Sequence, residues 1–236
     1  ISELMYQIQR FHSFLWASGG AYSDFLIHNI DECCWMKDAW PVSAKSSGGR
    51  HYRGNNIDQN FDTYSTEFTF ADGTKLFLEG RCMEGAHQEF ASYAHGTRGS
   101  CVISASGHTP CRARIYRGQQ AGILPISNNM ADIAWRGPAR EPDPYQLEWD
   151  RLLVAIRNSQ PHNEARRGAE ASLITAMGRM AAHTGQIITR DQMLACEHEL
   201  GPNLDRLTLD GAAPLRLGPD RKYPVPRPGI ETRREY

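Results

Sequence analysis

The stretch "FDTYSTEFTFADGTKLFLEGRC", residues 61–82, places Tyr64, Thr66, Phe68 and Phe70 at every second position, breaks at Asp72-Gly73, and resumes the alternation with Leu76 and Leu78. A period of two puts one set of side chains on one sheet face, and Asp-Gly is turn chemistry suited to a tight hairpin. The stretch therefore predicts two antiparallel strands with an apolar face that needs a covering layer.

Working outward, "WPVSAKSSGGRHYRGNN" (40–56) predicts a short strand over 42–45, with loops marked by Pro41, Gly48, Gly49 and Gly54. Downstream, strands are predicted over 88–94 and 100–104, separated by the turn residues "HGTRG", and again near 112–117. These form an antiparallel meander. Residues 118–142 are rich in Gly, Pro and Asn without periodicity and read as a long surface connection.

Helical signals lie on both sides of the strands. In "DPYQLEWDRLLVAIRNS" (143–159) Asp143 can cap, Pro144 takes the first helical position, Gln146 completes a capping box, and Trp149, Leu152, Leu153 and Ile156 form a stripe. A second helix is predicted from about 163 to Gly185, with Ala169, Leu173, Ala176, Met177 and Met180 on one face. A third starts at Thr189, with Gln192 three residues on, and runs toward Gly201. Two regions follow: an α+β domain over 1–201 and an extended, Pro-rich arm over 202–236 that should lie on the surface.

The totals exclude several partners. With 26 basic and 27 acidic residues the net charge is -1, which gives no long-range attraction to nucleic acid or anionic lipid. No apolar run reaches the ~18 residues of a membrane span. Six cysteines, at 33, 34, 82, 101, 111 and 196, show neither C-x-x-C pairs nor a scaffold spacing, so reduced thiols are expected. A cytoplasmic location is expected, with periplasmic export as the alternative. The opening Ile1-Ser2-Glu3 has no initiator Met and no leader, and reads as the interior of a longer gene product.

Candidate chemistry concentrates in "SDFLIHNIDECCW" (23–35). On a helix starting near Ser23, the residues Asp24, His28, Asp31 and Trp35 fall within about 60° of one another. Leu26, Ile30 and Cys33 lie opposite. A carboxylate one turn from an imidazole can fix its tautomer, which makes an acid/base unit. The alternative is a helix start whose Asp24 complements the macrodipole while His28 is a satisfied core residue. A metal site recruiting His28, Asp31 and Cys34 is disfavoured, because Cys34 points off the shared stripe. "SSGGRHYRG" lacks phosphate-loop spacing, yet Arg50, His51 and Arg53 could reach an anionic substrate.

Three runs together carry a family resemblance: "FLWASGGAYSDFLIHNIDECCWMKDAWPVSAKSSGGRHYRG", "FDTYSTEFTFADGTKLFLEGRCMEG" and "AIRNSQPHNEARRGAEASLITAMGRMAAHTGQIITRDQ". In this order they resemble the C-terminal domain of the Gfo/Idh/MocA oxidoreductases, over most of residues 11–192. The resemblance implies an open, mostly antiparallel β-sheet with helices packed on one face, which shapes a substrate pocket and forms a homodimer or higher homo-oligomer through the sheet. It implies His28 and Asp24 as catalytic residues that handle the proton of a sugar or polyol hydroxyl, and NAD or NADP bound by an upstream Rossmann domain. Neither G-x-G-x-x-G nor the family's E-K-P lysine motif occurs in this chain, so no cofactor-binding residue and no turnover by the chain alone are expected. Two rivals are an NAD-dependent glycosidase of the same family and a non-catalytic scaffold.

Overall fold

The computed structural model describes residues 1–51, 57–123 and 128–236. Its elements are α1 (Glu3–Gln9), α2 (Leu15–Ser18), a π turn (Tyr22–Leu26) that runs into α3 (Ile27–Lys37), β1 (Ser43–Gly49), β2 (Thr63–Thr69), β3 (Lys75–Arg81), β4 (Ser92–Gly96), β5 (Gly99–Ser104), β6 (Arg114–Tyr116), β7 (Ile133–Arg136), α4 (Pro144–Arg157), α5 (Ala165–Thr184), β8 (Ile188–Thr189) and α6 (Arg190–Leu194). They divide into two compact units, Ile1–Ala86 with Gly168–Tyr236, and His87–Arg167. This division differs from the boundary at 201 expected from composition.

The fold is α+β with antiparallel pairing throughout the described strands. The strands separate into two four-stranded sheets, β3-β2-β1-β8 and β4-β5-β6-β7. The 61–82 hairpin forms as its alternation dictates, with Tyr64 opposite Gly80 and Phe68 opposite Leu76. Its turn closes through Phe70 N–H, which donates to the Thr74 carbonyl, while the Asp72 carboxylate accepts from Thr74 N–H and Gly73 takes φ 84°. β1 is longer than predicted and includes Gly48 and Gly49. Gly48 sits in the strand because a Cβ there would come within 2.6 Å of the Thr63 carbonyl on β2.

In the first unit, Tyr64, Thr66, Phe68 and Leu78 point to one face of the sheet and are buried. They pack with Tyr22, Ile30 and Cys34 and with Ile174, Met177 and Ala181 of α5. α5 crosses β2 closely enough that a Cβ on Gly178 would lie 2.2 Å from Tyr22 Oη and 2.5 Å from the Phe68 ring. The opposite sheet face is charged: Glu67 bridges Lys45 and Lys75, Ser65 Oγ donates to Glu79, and Phe77 stands 68% exposed.

Several expectations need correction. The buried face of α5 runs through Ala171, Ile174, Met177 and Gly178 and includes Arg179 and His183, whereas Ala169 is exposed. Asp143 caps α4 by accepting from Tyr145 and Gln146 N–H, but Gln146 turns its side chain to Asp150, so no reciprocal box forms there. The box at Thr189 and Gln192 is complete, on a helix shorter than predicted. β7 lies inside the predicted loop 118–142, since four residues are too few to show a period.

The largest correction concerns the tail. Ala213, Leu215, Tyr223 and Glu235 are buried, not on the surface. Tyr223 packs edge-on against Phe14 at 5.0 Å, Gln7 donates to the Leu215 carbonyl, and Gln59 donates to the Pro224 carbonyl. Prolines remove backbone donors, so a Pro-rich segment packs through side chains and its carbonyls, a pattern that composition does not reveal.

Candidate functional site

The candidate site is built on the turn that begins at Gly19-Gly20. Both residues adopt left-handed backbone, with φ 73° and 69°. A Cβ on Gly19 would lie 2.5 Å from both Arg179 Nη1 and Ser23 Oγ, and one on Gly20 would lie 2.4 Å from Asn60 Oδ1. The chain then enters the π turn, a wider loop of helix that shifts the following side chains around the axis and recurs at functional sites. The turn is held from two directions. Tyr22 Oη donates to Thr66 Oγ1 on β2 at 2.9 Å, and Arg179 Nη1 on α5 donates to Ser23 Oγ at 2.6 Å.

Asp24 leaves this turn half-buried, and its carboxylate meets Nδ1 of His12 within hydrogen-bond reach. The His12 ring stacks on Phe25, 5.7 Å away, lies tilted against Phe11, 3.9 Å away, and is itself half-exposed. A carboxylate beside Nδ1 favours the tautomer that carries its proton there. His28 is exposed, Asp31 is half-buried and Trp35 is 68% exposed, while Ile30, Cys33 and Cys34 are buried opposite them. The helix divides as its sequence pattern implies: apolar side inward, imidazole and acids outward.

The basic residues occupy a neighbouring loop. Arg50 Nη1 donates to Asp58 at 2.9 Å and to the Asn60 carbonyl at 2.5 Å, and its side chain is 14% exposed. Asn60 Nδ2 donates to the His12 carbonyl and Asn60 Oδ1 accepts from Ala21 N–H, so one asparagine ties Arg50 to both strands of the turn. His51 gives its backbone N–H to both oxygens of Asp62, with its ring exposed. Arg53 lies outside the described residues.

Sequence reasoning missed His12, which precedes the glycine turn and has no helical spacing to Asp24. It also missed a buried network behind the turn. Glu235 accepts from Arg179 Nε and Nη2, each at 2.9 Å, and from His183 Nδ1–H at 2.6 Å, while Tyr64 Oη donates to His183 Nε2 at 3.0 Å. One cation balances one anion here. Burial holds the His183 pKa below the ordinary imidazole value, although the Glu235 carboxylate pulls the other way. Burial raises Glu235, but Arg179 and the His183 donor outweigh it and hold the carboxyl well below the usual range. Burial also pushes the phenols of Tyr22 and Tyr64 far up, so both act as O–H donors.

Among the described residues no group of three or more His, Cys, Asp or Glu is placed to hold a metal ion, and no helix is long and apolar enough to cross a membrane.

The sequence matches no family model and no curated protein. Solved structures do match. A putative oxidoreductase from Thermotoga maritima is similar at 18% identity and TM-score 0.55, over 76% of this chain and 50% of its own. Aldose-aldose oxidoreductase from Caulobacter crescentus, complexed with glycerol, is similar at 14% and 0.58, over 80% and 52%. The WlbA dehydrogenase from Bordetella pertussis, in complex with NADH and UDP-GlcNAcA, is similar at 14% and 0.57, over 80% and 52%. The chain thus spans about half the length of these proteins, and at such identities the likeness is one of fold. The chain shares with each of them an α+β fold over about half of their length.

Proposed function

We propose that this chain is the substrate-side half of an NAD(P)-dependent oxidoreductase of the Gfo/Idh/MocA family that acts on a sugar or polyol hydroxyl. The fold shared with the sugar-linked enzymes supports the class. The observation that carries the chemistry is the outward face of the π turn and α3, where Asp24 is paired with His12 and His28 is exposed one turn further on. A bound nicotinamide cofactor would supply the hydride acceptor. His28 takes the hydroxyl proton, and Asp24 with His12 orients the substrate and shares the charge. Asp31 and the loop of Arg50, His51 and Arg53 contact the remaining hydroxyls. Pairing of two copies through the charged sheet face, around Phe77, belongs to the same proposal.

The test uses the protein expressed from its complete gene, NAD or NADP, and a panel of sugars and polyols. A net oxidised product with reduced nicotinamide is expected. Release of an unoxidised sugar with the nicotinamide recycled would place the protein among glycosidases instead, and absence of turnover across the panel would count against an enzyme of this class.

A further inference from the structure

The buried Glu235 stands far from solvent and touches no candidate substrate face, so its use must be sought through its partners. It is 3% exposed and binds Arg179 through two nitrogens, which leaves the guanidinium's third nitrogen, Nη1, aimed at Ser23 Oγ. A guanidinium is a rigid planar fork: fixing two nitrogens fixes the direction of the third. Gly19 makes the room for it, because a Cβ at that position would collide with Arg179 Nη1 and Ser23 Oγ alike. Ser23 is the residue before Asp24 and lies within the π turn. On the other side Tyr22 is held by Thr66, which in turn shares a 2.7 Å hydrogen bond with Ser46. The two residues before Asp24 are therefore gripped by different elements, and Asp24 emerges toward His12.

We propose that Glu235 is a positioning residue: through Arg179 and Ser23 it sets the π turn that presents the Asp24 carboxylate to His12. The tail thus acts as a strut for the candidate site, and its buried carboxylate aims an exposed one. This deepens the function proposed above, since it matters for catalysis only if Asp24 works on substrate. The positioning itself can be read without turnover, so the two ideas can fail separately.

Nitrogen NMR of the labelled full chain, recorded above the imidazole titration range, reads which ring nitrogen of His12 carries the proton. In the wild type the Nδ1–H form is expected, because the Asp24 carboxylate lies beside Nδ1. Ser23→Ala removes one hydroxyl from a half-buried position, and with it the acceptor of Arg179 Nη1, while Glu235 keeps its two bonds to the guanidinium. It should lose the Nδ1–H form in favour of the Nε2–H form that a solvated imidazole prefers. Glu235→Gln should do the same, Ser23→Thr should retain the wild-type form, and Glu79→Gln on the outer sheet face should change nothing. A folded Ser23→Ala protein whose His12 keeps the Nδ1–H form overturns the proposal, as does a wild type without that form. If Glu235→Gln fails to fold, Ser23→Ala still decides whether the strut positions Asp24. Loss in Ser23→Ala with retention in a folded Glu235→Gln would remove Glu235 from the role.

Discussion

Replacing Glu235 by Gln keeps the side-chain shape and removes one charge from a site where its partners have almost no water. Arg179 is 9% exposed at its side chain and His183 is fully buried, so neither can recover solvation. Breaking a buried pair by removing one partner costs roughly 3–5 kcal/mol, because the remaining charge is stranded. For a chain of this size each kcal/mol moves Tm by about 2–4 °C, so Glu235→Gln should lower Tm by roughly 6–20 °C at pH 7. The pH dependence has a definite sign. Glu235 has a depressed pKa in the folded state, so its contribution is present above the unfolded carboxylate value of ~4.3 and is lost as pH falls through the folded value. His183 also has a depressed folded pKa, so the unfolded chain binds the extra proton and stability begins to fall below ~6.5. The gap between wild type and Glu235→Gln should therefore narrow as pH drops below ~4.3. Thermal unfolding followed by circular dichroism at several pH values measures both effects. A Tm within about 2 °C of wild type at pH 7 would refute the view that the network is a tightly buried, balanced pair.

Three further outcomes follow from close contacts. Gly178→Ala should cost about 1–3 kcal/mol by driving a methyl into Tyr22 and Phe68, measurable as a shift in denaturant midpoint at constant m. Gly19→Ala combines left-handed backbone with a collision at Arg179 and should cost about 1–3 kcal/mol, read by the same titration. Phe77→Asp, on the charged outer face of the first sheet, should leave the monomer's Tm nearly unchanged while shifting sedimentation of any sheet-paired dimer toward monomer.

The parts of the fold that were legible in the sequence are those fixed by local rules. The hairpin over 61–82, the Asp143 cap with Pro144 behind it, and the box at Thr189 follow from period, turn chemistry and capping, each settled within a few residues. The outward placement of His28 and the inward placement of Ile30 and Cys33 followed from helical spacing in the same way. What escaped depends on contacts distant in sequence. A stripe rule counts apolar residues, so it says nothing of Arg179 and His183 on α5, whose partner Glu235 lies 52 residues beyond His183. The π turn has no sequence signature at this level, and without it the partnership of Asp24 with His12 could not be foreseen. The tail looked extended from its composition because its packing rests on a few side chains, Leu215 and Tyr223 among them, spaced irregularly between prolines.

The central claim is that the exposed face of the π turn and α3 performs acid/base chemistry, and substitution of His28 tests it most directly. In the protein expressed from its complete gene, His28→Ala should lower kcat for nicotinamide reduction by roughly 10²–10⁴. Because His28 is exposed, Tm should stay that of the wild type. Turnover per folded molecule equal to the wild type would contradict the account.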